Sequence, residues 1–283
     1  FYHKNNSLLN WNDSIQFFNP DSMDLFVQFR DEFTNSAGFI VTPGLVQRIK
    51  QFWYLSAGVE MGFKTEQLDW QQEINRGSGE ALDTILPPFS TQDLSVGPML
   101  SIKRNSNKSQ IEFILKGTWN QLDKMQDEIS LEKPIYFYFQ PGFNYEYKYR
   151  TGRRVNVRYS THVNMPSVTQ LYPVTNTLNL LSIYQGNLEL TPEFSHNLSA
   201  SWWYFDQFSF TSTFAMLGAG YVKDKIGWSQ FTNEELITLV SPVNTPDHRS
   251  VYSYISFSTP IRALGMKMSL TSHESWNKGL SII

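Results

Sequence analysis

The sequence has 283 residues, with 23 Lys and Arg against 26 Asp and Glu, and a formal net charge of −3. This balance excludes the strongly basic surface of a nucleic-acid-binding domain, so no nucleic-acid partner is expected. The absence of cysteine excludes disulfides, thiolate metal sites and cysteine nucleophiles. Aromatic residues make up 15% and charged residues 17%, and no stretch approaches the roughly 18 consecutive apolar residues of a membrane-spanning helix. This composition indicates a β-rich protein, and transmembrane barrels are one such class.

The two ends of the sequence do not resemble natural termini. The chain begins Phe1-Tyr2-His3-Lys4, without an initiator methionine or a signal peptide, and it stops at Ile283 inside a strand-like pattern. We therefore expect a segment of a longer mature chain, with residues 1–283 forming part of one domain.

Apolar and polar residues alternate with a period of two in several segments of the chain, as expected for strands that have two different faces. The clearest segments are 53–64, 110–120 and 135–150, which is the longest. Weaker alternation occurs at 154–162, 197–204, 251–259 and 264–273. Residues 208–222 have the composition of a strand, but their two faces cannot be separated.

The connections between these segments alternate in length. Short turns are predicted at 19–22, 48–51, 105–109, 150–153, 205–208 and 259–263. Between them lie connections at 31–36, 67–93, 121–134, 164–189 and 224–249, of which all but the first are long. Outer-membrane barrels have tight periplasmic turns and long extracellular loops. The predicted fold is all-β, an antiparallel transmembrane β-barrel with about twelve strands; a soluble β-sandwich or propeller is the alternative.

A barrel in a membrane turns its apolar face to lipid and its polar face to the lumen. The charged residues expected to face the lumen are Glu60, Lys64, Glu112, Lys116, Glu146, Lys148 and Arg158. The aromatic residues expected to face lipid or to form an interfacial girdle near the short turns are Trp53, Tyr145, Tyr147, Tyr149, Trp202 and Tyr204. Arg150, Arg153 and Arg154 are expected at the periplasmic rim, where they would face lipid headgroups or a partner.

No catalytic site, metal site or cofactor is predicted. His162 and His196 flank the long connection at 164–189, and Ser160 and Ser195 are near them, so a hydrolytic cluster is conceivable. Serine is abundant in this sequence, however, and no histidine pair has metal-ligand spacing. The sequence also lacks a nucleophile elbow, a phosphate-binding loop and a dinucleotide-binding fingerprint. We therefore predict that the protein is not an enzyme.

Three motifs, in a fixed order, carry a family resemblance. They are Phe139-Gln140-Pro141-Gly142-Phe143-Asn144-Tyr145, then Arg158-Tyr159-Ser160-Thr161 with Met165-Pro166-Ser167-Val168-Thr169-Gln170-Leu171, and then Gly186-Asn187-Leu188-Glu189-Leu190-Thr191-Pro192-Glu193. With them, residues 137–261 resemble the later barrel of TonB-dependent outer-membrane receptors, and more narrowly the outer-membrane β-barrel family of receptor-like proteins. One departure is Leu188, where that family usually has proline.

The resemblance implies a 22-stranded barrel in the outer membrane of a Gram-negative type bacterium, of which this segment supplies about twelve strands. It also implies a plug domain and a TonB-type energising partner, both outside this segment. The signature residues Pro166, Gly186, Asn187, Pro192 and Glu193 are expected to shape the return of a long loop into the following strand.

The resemblance implies a receptor that binds and imports a nutrient too large for porins. Two alternatives stay open: an outer-membrane barrel in a protein assembly or secretion complex, with a surface lipoprotein as a possible partner, and a soluble glycan-binding β-protein. The long connections are the expected substrate surface. The apolar connection at 164–189 would pack over the mouth, inside the lumen or against a partner, whereas 67–93 is expected to be mobile.

Overall fold

The computed structural model describes residues 2–16, 23–76, 81–85, 87–173, 175–179, 182–234 and 236–280, and nearly all of them lie in strands. The strands in chain order are β1 (Tyr2–Gln16), β2 (Met23–Val41), β3 (Gly44–Lys50), β4 (Trp53–Arg76), β5 (Ala81–Ile85), β6 (Phe89–Asn105), β7 (Ser109–Gln126), β8 (Ile129–Glu132), β9 (Ile135–Arg150), β10 (Arg153–Asn164), β11 (Thr175–Asn179), β12 (Ser182–Gln185), β13 (Glu193–Asp206), β14 (Thr211–Lys223), β15 (Lys225–Thr232), β16 (Thr238–Thr245), β17 (His248–Ile261) and β18 (Met266–Lys278). A four-residue helix, α1 (Val168–Leu171), and one 3-10 turn (Arg262–Leu264) complete the described elements. Within these residues no helix has the length and apolar character needed to cross a bilayer.

Most strands belong to one large sheet, in which every pairing is antiparallel. Its order is β1-β2-β4-β6-β7-β9-β10-β13-β14-β17-β18. Beside this path, β3 and β5 each pair with β4, and β8 pairs with β7. The path has eleven positions, close to the predicted twelve. Strands that are neighbours in sequence are neighbours in space, as in an up-and-down barrel. Among the described pairings, β1 and β18 each have one neighbour, so this segment forms an open part of a barrel wall. The predicted antiparallel all-β fold is confirmed.

The predicted connection at 31–36 is wrong, because these residues lie inside β2. They pair with both β1 and β4, in a register that runs from Asp31 opposite Gln71 to Ser36 opposite Glu66. Their polar composition resembles that of a turn, but pairing on both sides keeps the backbone extended. The interruption falls instead at 42–43, between β2 and β3, which both pair with β4.

The long connection predicted at 67–93 is also largely strand. β4 continues to Arg76, β5 pairs back onto it, and β6 begins at Phe89. Gly77 and Gly79, which suggested mobility, lie outside the described residues, as does the predicted turn at 19–22. The three long connections and four short turns predicted after residue 93 lie close to their expected places, although strands extend into the long connections.

Cross-strand register separates two faces of the sheet. Phe113 lies directly opposite Phe143, with ring centroids 4.8 Å apart, and Phe113 is 50% exposed. Other large apolar residues on this face are exposed as well, including Phe139 and Leu115. The apolar face is thus not sealed into a compact interior, which a soluble sandwich would require.

The buried hydrophobic cluster lies on the other, polar face, near the end of the sheet that carries the long connections. Its residues are Leu68, Trp70, Phe89, Leu122, Val168, Leu171, Tyr172 and Leu190. Beside it, β11, β12, β16 and β15 form a second sheet, in which β12 and β16 are parallel. The two long connections that were predicted as loops therefore pair with each other.

Candidate functional site: the polar face of the sheet

The polar face carries a row of ion pairs, some of which join different strands. Lys116 Nζ lies 2.6 Å from Glu60 Oε1, so its side chain spans the intervening strand β6. Gly97, which is directly opposite Glu60 on β6, has no side chain to fill this space. Six of the seven charged residues predicted for the lumen are paired with a neighbouring charge, in two pairs across strands and two pairs within one strand. The pairs are Lys116–Glu60, Lys103–Glu112, Lys148–Glu146 and Lys64–Glu66.

Arg158, the seventh residue, differs from the others. It lies opposite Asn144 and Ser199, on the same face as Glu112 and Lys116. It is exposed, and no carboxylate oxygen of the described residues lies within 4.0 Å of its guanidinium. Arg158 therefore stands without an ion-pair partner among the described residues, in a shallow groove that Gly142 also lines.

The connection between β10 and β13 folds back onto this polar face. Its helix α1 begins with a reciprocal capping box, in which the Ser167 amide donates to Gln170 Oε1 at 3.0 Å. The Val168 amide donates to Glu66 Oε2 on β4 at 3.3 Å. Four strand positions separate β10 from β4 in the sheet, a path of about 19 Å at the usual spacing between strands. The few residues between the end of β10 at Asn164 and Val168 can reach that far only if the sheet curves toward its polar face.

Tyr172 anchors this connection. Its ring makes an edge contact with Trp70 at 4.6 Å between centroids and lies 5.6 Å from Phe89. The side chain is 1% exposed, and its hydroxyl donates to the Pro87 carbonyl oxygen at 3.0 Å. The connection at 164–189 thus packs against the polar face itself, one of the three placements that the sequence left open.

The signature residues Gly186 and Asn187 lie against the same anchor. A Cβ at position 186 would collide with the Tyr172 carbonyl oxygen, so only glycine fits. The Asn187 amide donates to the Gln170 carbonyl at 2.8 Å, and its side-chain amide donates to the Pro242 carbonyl at 3.1 Å. These two residues join the helix-bearing connection to β16.

The remaining signature residues hold the neighbouring hairpin of β15 and β16. Glu193 Oε1 accepts a hydrogen bond from the Ile226 amide at 2.7 Å. Asn244 accepts from the Thr191 amide at 2.8 Å and donates to the Thr191 carbonyl at 2.9 Å. Pro166 and Pro192 are buried. The structural role expected for these residues stays a prediction.

Lys124 on β7 makes a buried contact that the sequence did not reveal. It is 1% exposed, and its ammonium donates to the Leu188 carbonyl and lies 3.2 Å from Glu132 Oε2. Leu188 stands where the family usually has proline. Nothing in the local sequence distinguishes Lys124 from a loop lysine, because its partner is 64 residues away.

The hypothetical histidine cluster does not assemble. His162 lies opposite Ser195, whereas His196 lies opposite Thr161 and therefore projects from the other face. Its Nδ1 is 2.8 Å from the Tyr159 hydroxyl. The two imidazoles lie on opposite sides of the sheet and cannot act on one substrate.

The predicted girdle residues share the apolar face, at the end of the sheet that has the short turns. The Trp202 indole donates to the Tyr149 hydroxyl at 2.8 Å. The rings of Tyr145, Tyr147 and Tyr149 follow one another at 6.4 and 6.3 Å, and Trp202 lies 6.1 Å from Tyr204. Trp53 begins β4 beside another short turn.

Comparison with known proteins links this arrangement to membrane barrels. Residues 115–275, more than half of the chain, match the outer membrane protein beta-barrel family. No curated protein sequence matches the chain.

Solved structures share the fold at low sequence identity. The copper transporter OprC superposes over 98% of this chain and 42% of its own, with a TM-score of 0.64 and 13% identity. For the FrpB iron transporter of Neisseria meningitidis (F5-1 variant), the superposition covers 98% of this chain and 44% of FrpB, with a TM-score of 0.54 and 10% identity. For FpvAI, from its complex with pyocin S2, it covers 99% of this chain and 39% of FpvAI, with a TM-score of 0.52 and 11% identity. The chain therefore spans less than half the length of these three proteins.

Proposed function

Because the chain belongs to the outer membrane protein beta-barrel family, we propose that it forms part of the wall of a TonB-dependent type receptor in the outer membrane. The receptor would bind a nutrient too large for porins and import it with energy from a TonB-type partner. A plug domain outside this segment would transmit that energy. The outer-membrane location sets aside the soluble glycan-binding alternative.

One observation carries the proposal: the connection at 164–189 covers one end of a polar, charge-lined face and leaves the rest of that face open. An import route needs a polar wall and restricted access from outside. The row of ion pairs from Glu60 to Glu146 provides a hydrated wall with little net charge. Packing of α1 and Tyr172 over the same face narrows the route at the end of the long connections. The solved transporters with the same fold support this assignment.

Arg158 is the residue of the lumenal face that we propose contacts the solute. The other six predicted lumenal charges are paired with neighbouring charges, so a passing ligand would have to compete with an existing ion pair. Arg158 offers its guanidinium without that competition. We expect it to favour solutes that carry a carboxylate or phosphate group.

The test is uptake by cells that carry the full-length receptor. A deletion strain and a complemented strain are compared for accumulation of labelled siderophore, cobalamin, oligosaccharide and peptide probes, with and without an uncoupler. We expect energy-dependent accumulation of one probe class. Arg158→Glu is expected to reduce that accumulation, whereas Lys108→Glu, the same charge change in a short turn, should leave it unchanged.

The assembly alternative predicts a different result in the same strains. No probe would accumulate above the deletion strain, and a large surface lipoprotein would co-purify with the receptor. That pair of outcomes would overturn import in favour of an assembly role.

A further inference from the structure

Two arginines are paired with each other across a two-residue turn of the sheet. Arg150 ends β9, Arg153 begins β10, and the register pairs them across Thr151 and Gly152. Like charges at directly opposite strand positions repel and destabilise the pair. An anion bound between them would offset that repulsion.

The turn is held rigidly against its neighbour, the turn between β13 and β14. The Phe205 amide donates to the Gly152 carbonyl at 2.7 Å. Gly152 has a φ of 71°, and a Cβ there would collide with the Phe205 carbonyl oxygen. A cleft lies between the two turns, lined by both arginines and by Phe205 and Phe208, of which Phe208 is 78% exposed.

One carboxylate, that of Asp206, lies in the same cleft, but it forms no ion pair with either arginine. No carboxylate oxygen among the described residues lies within 4.0 Å of Arg150 or Arg153. The two oxygens of Asp206 are engaged by its own turn: it accepts from the Ser209 hydroxyl at 2.6 Å and from the Phe208 amide at 3.1 Å. The Ser209 hydroxyl, followed by the Phe208 amide, lowers the pKa of Asp206, and Arg153 contributes more weakly. The carboxylate is thus satisfied locally and does not bridge the arginines.

Aromatic residues place this cleft at the membrane interface. The Arg153 guanidinium lies over the Tyr204 ring, 4.8 Å from its centroid. Tyr204 and the hydrogen-bonded pair Trp202 and Tyr149 belong to the proposed girdle. Amphipathic rings of this kind sit at headgroup level, and basic clusters beside them bind anionic headgroups.

We propose that Arg150 and Arg153 bind the phosphate of an anionic phospholipid in the periplasmic-side leaflet, between the two turns. Guanidinium groups recognise phosphate oxygens in a bidentate manner. One phosphate would cancel the repulsion across the turn, and the acyl chains would lie along the aromatic face of β13. This inference rests on the membrane orientation of the proposed receptor, with its short turns on the periplasmic side.

The experiment uses the full-length protein in nanodiscs of phosphatidylethanolamine with a minority of phosphatidylglycerol. Native mass spectrometry counts the phosphatidylglycerol molecules that remain bound after release. The double variant Arg150→Gln/Arg153→Gln is expected to retain them on the order of tenfold less strongly. Arg249→Gln is the matched control at the opposite end, because Arg249 also lies over a tyrosine, Tyr221, but pairs with Asp247 at 3.7 Å.

Each other outcome has a definite meaning. Equal retention by the double variant and the wild type, or an equal loss in Arg249→Gln, would overturn the lipid site. If inorganic phosphate displaces phosphatidylglycerol from the detergent-solubilised protein at low concentration, the site binds free phosphate, and the lipid assignment is wrong. Failure of the wild type to enter the outer-membrane fraction of cells would instead overturn the membrane orientation, and with it the proposed receptor.

Discussion

The two ends of the sheet differ in how their polar groups are satisfied. At the end of the long connections, α1, Tyr172 and the second sheet cover the polar face and bury a hydrophobic cluster. At the end of the short turns, Arg150 and Arg153 stand beside exposed aromatic rings without a carboxylate partner in the described residues. At the long-connection end, the chain itself covers the sheet. At the short-turn end, the two arginines have no ion-pair partner among the described residues.

This contrast follows from the length of the connections. A connection of about 25 residues can return across the lumen and form its own core, because the cost of closing a loop grows slowly with length. A two-residue turn is too short to fold back over the sheet, so its side chains contact the surroundings of the barrel. In the proposed receptor, the long end would therefore control access, and the short end would contact the membrane interface.

The strongest test of the covered end is Tyr172→Ala. Loss of a fully buried aromatic ring and of its hydrogen bond to Pro87 is expected to cost about 3–5 kcal/mol of local stability and to release residues 165–190. Limited proteolysis of the membrane-inserted protein would detect new cleavage in that segment. Tyr147→Ala, a change on the apolar face at a ring that is 39% exposed, should leave the cleavage pattern unchanged. Equal protection in both variants would contradict the anchoring role.

A pair of glycine variants tests the contact between the two turns at the short-turn end. Gly152→Ala places a side chain at positive φ and against the Phe205 carbonyl, with an expected cost of about 3 kcal/mol. Gly265→Ala, where φ is 60° and nothing lies within 4 Å of the new Cβ, should cost only about 1–2 kcal/mol. Urea unfolding from lipid vesicles measures both free energies. Equal losses would show that the contact between the two turns adds nothing.

Lys124→Met tests whether a buried cation ties the covering connection to the wall. The Leu188 carbonyl would lose its donor, at an expected cost of about 2 kcal/mol. Lys133→Met removes an exposed lysine paired with Asp123 at 2.7 Å, and it should cost less than about 1 kcal/mol. Hydrogen exchange at residues 186–190 would report the difference. Similar exchange rates in the two variants would argue against the tether.

The smallest expected effect is an alkaline loosening of the second sheet. Burial, followed by the negative charge of Glu32, raises the pKa of Tyr184 from 10.0 to about 12. Because the folded state favours the neutral phenol, its stabilisation is complete below pH 10 and is lost as the pH rises through about 12. Protease sensitivity around residues 182–190 should therefore increase over that range. In Tyr184→Phe this pH dependence should disappear; if it persists unchanged, another group causes it.

Much of the architecture could be predicted from local pattern. Alternation in residues 110–120 and 135–150 identified β7 and β9 and their two faces, because a strand projects successive side chains to opposite sides. The family resemblance of the motifs is confirmed by the match at 115–275. The connection predicted at 31–36 failed, because polar composition alone cannot reveal pairing with two distant strands.

The candidate site was less accessible to prediction. The charges expected in the lumen were identified by their strand positions, and their orientation toward a lumen stays a prediction. Their pairing was not visible, since Glu60 and Lys116 are 56 residues apart. The placement of the connection at 164–189 was left open for the same reason, because its partners Glu66 and Pro87 belong to strands and turns far earlier in the chain.

The sequence by itself determined that the chain forms long antiparallel strands with one apolar and one polar face, because alternation and turn composition are local properties. Only the tertiary structure decided which residues meet across those strands: the tether of Lys124, the anchor of Tyr172, and the two arginines held in a fixed cleft. These contacts depend on register and on the curvature of the sheet, and both are set by the whole wall together.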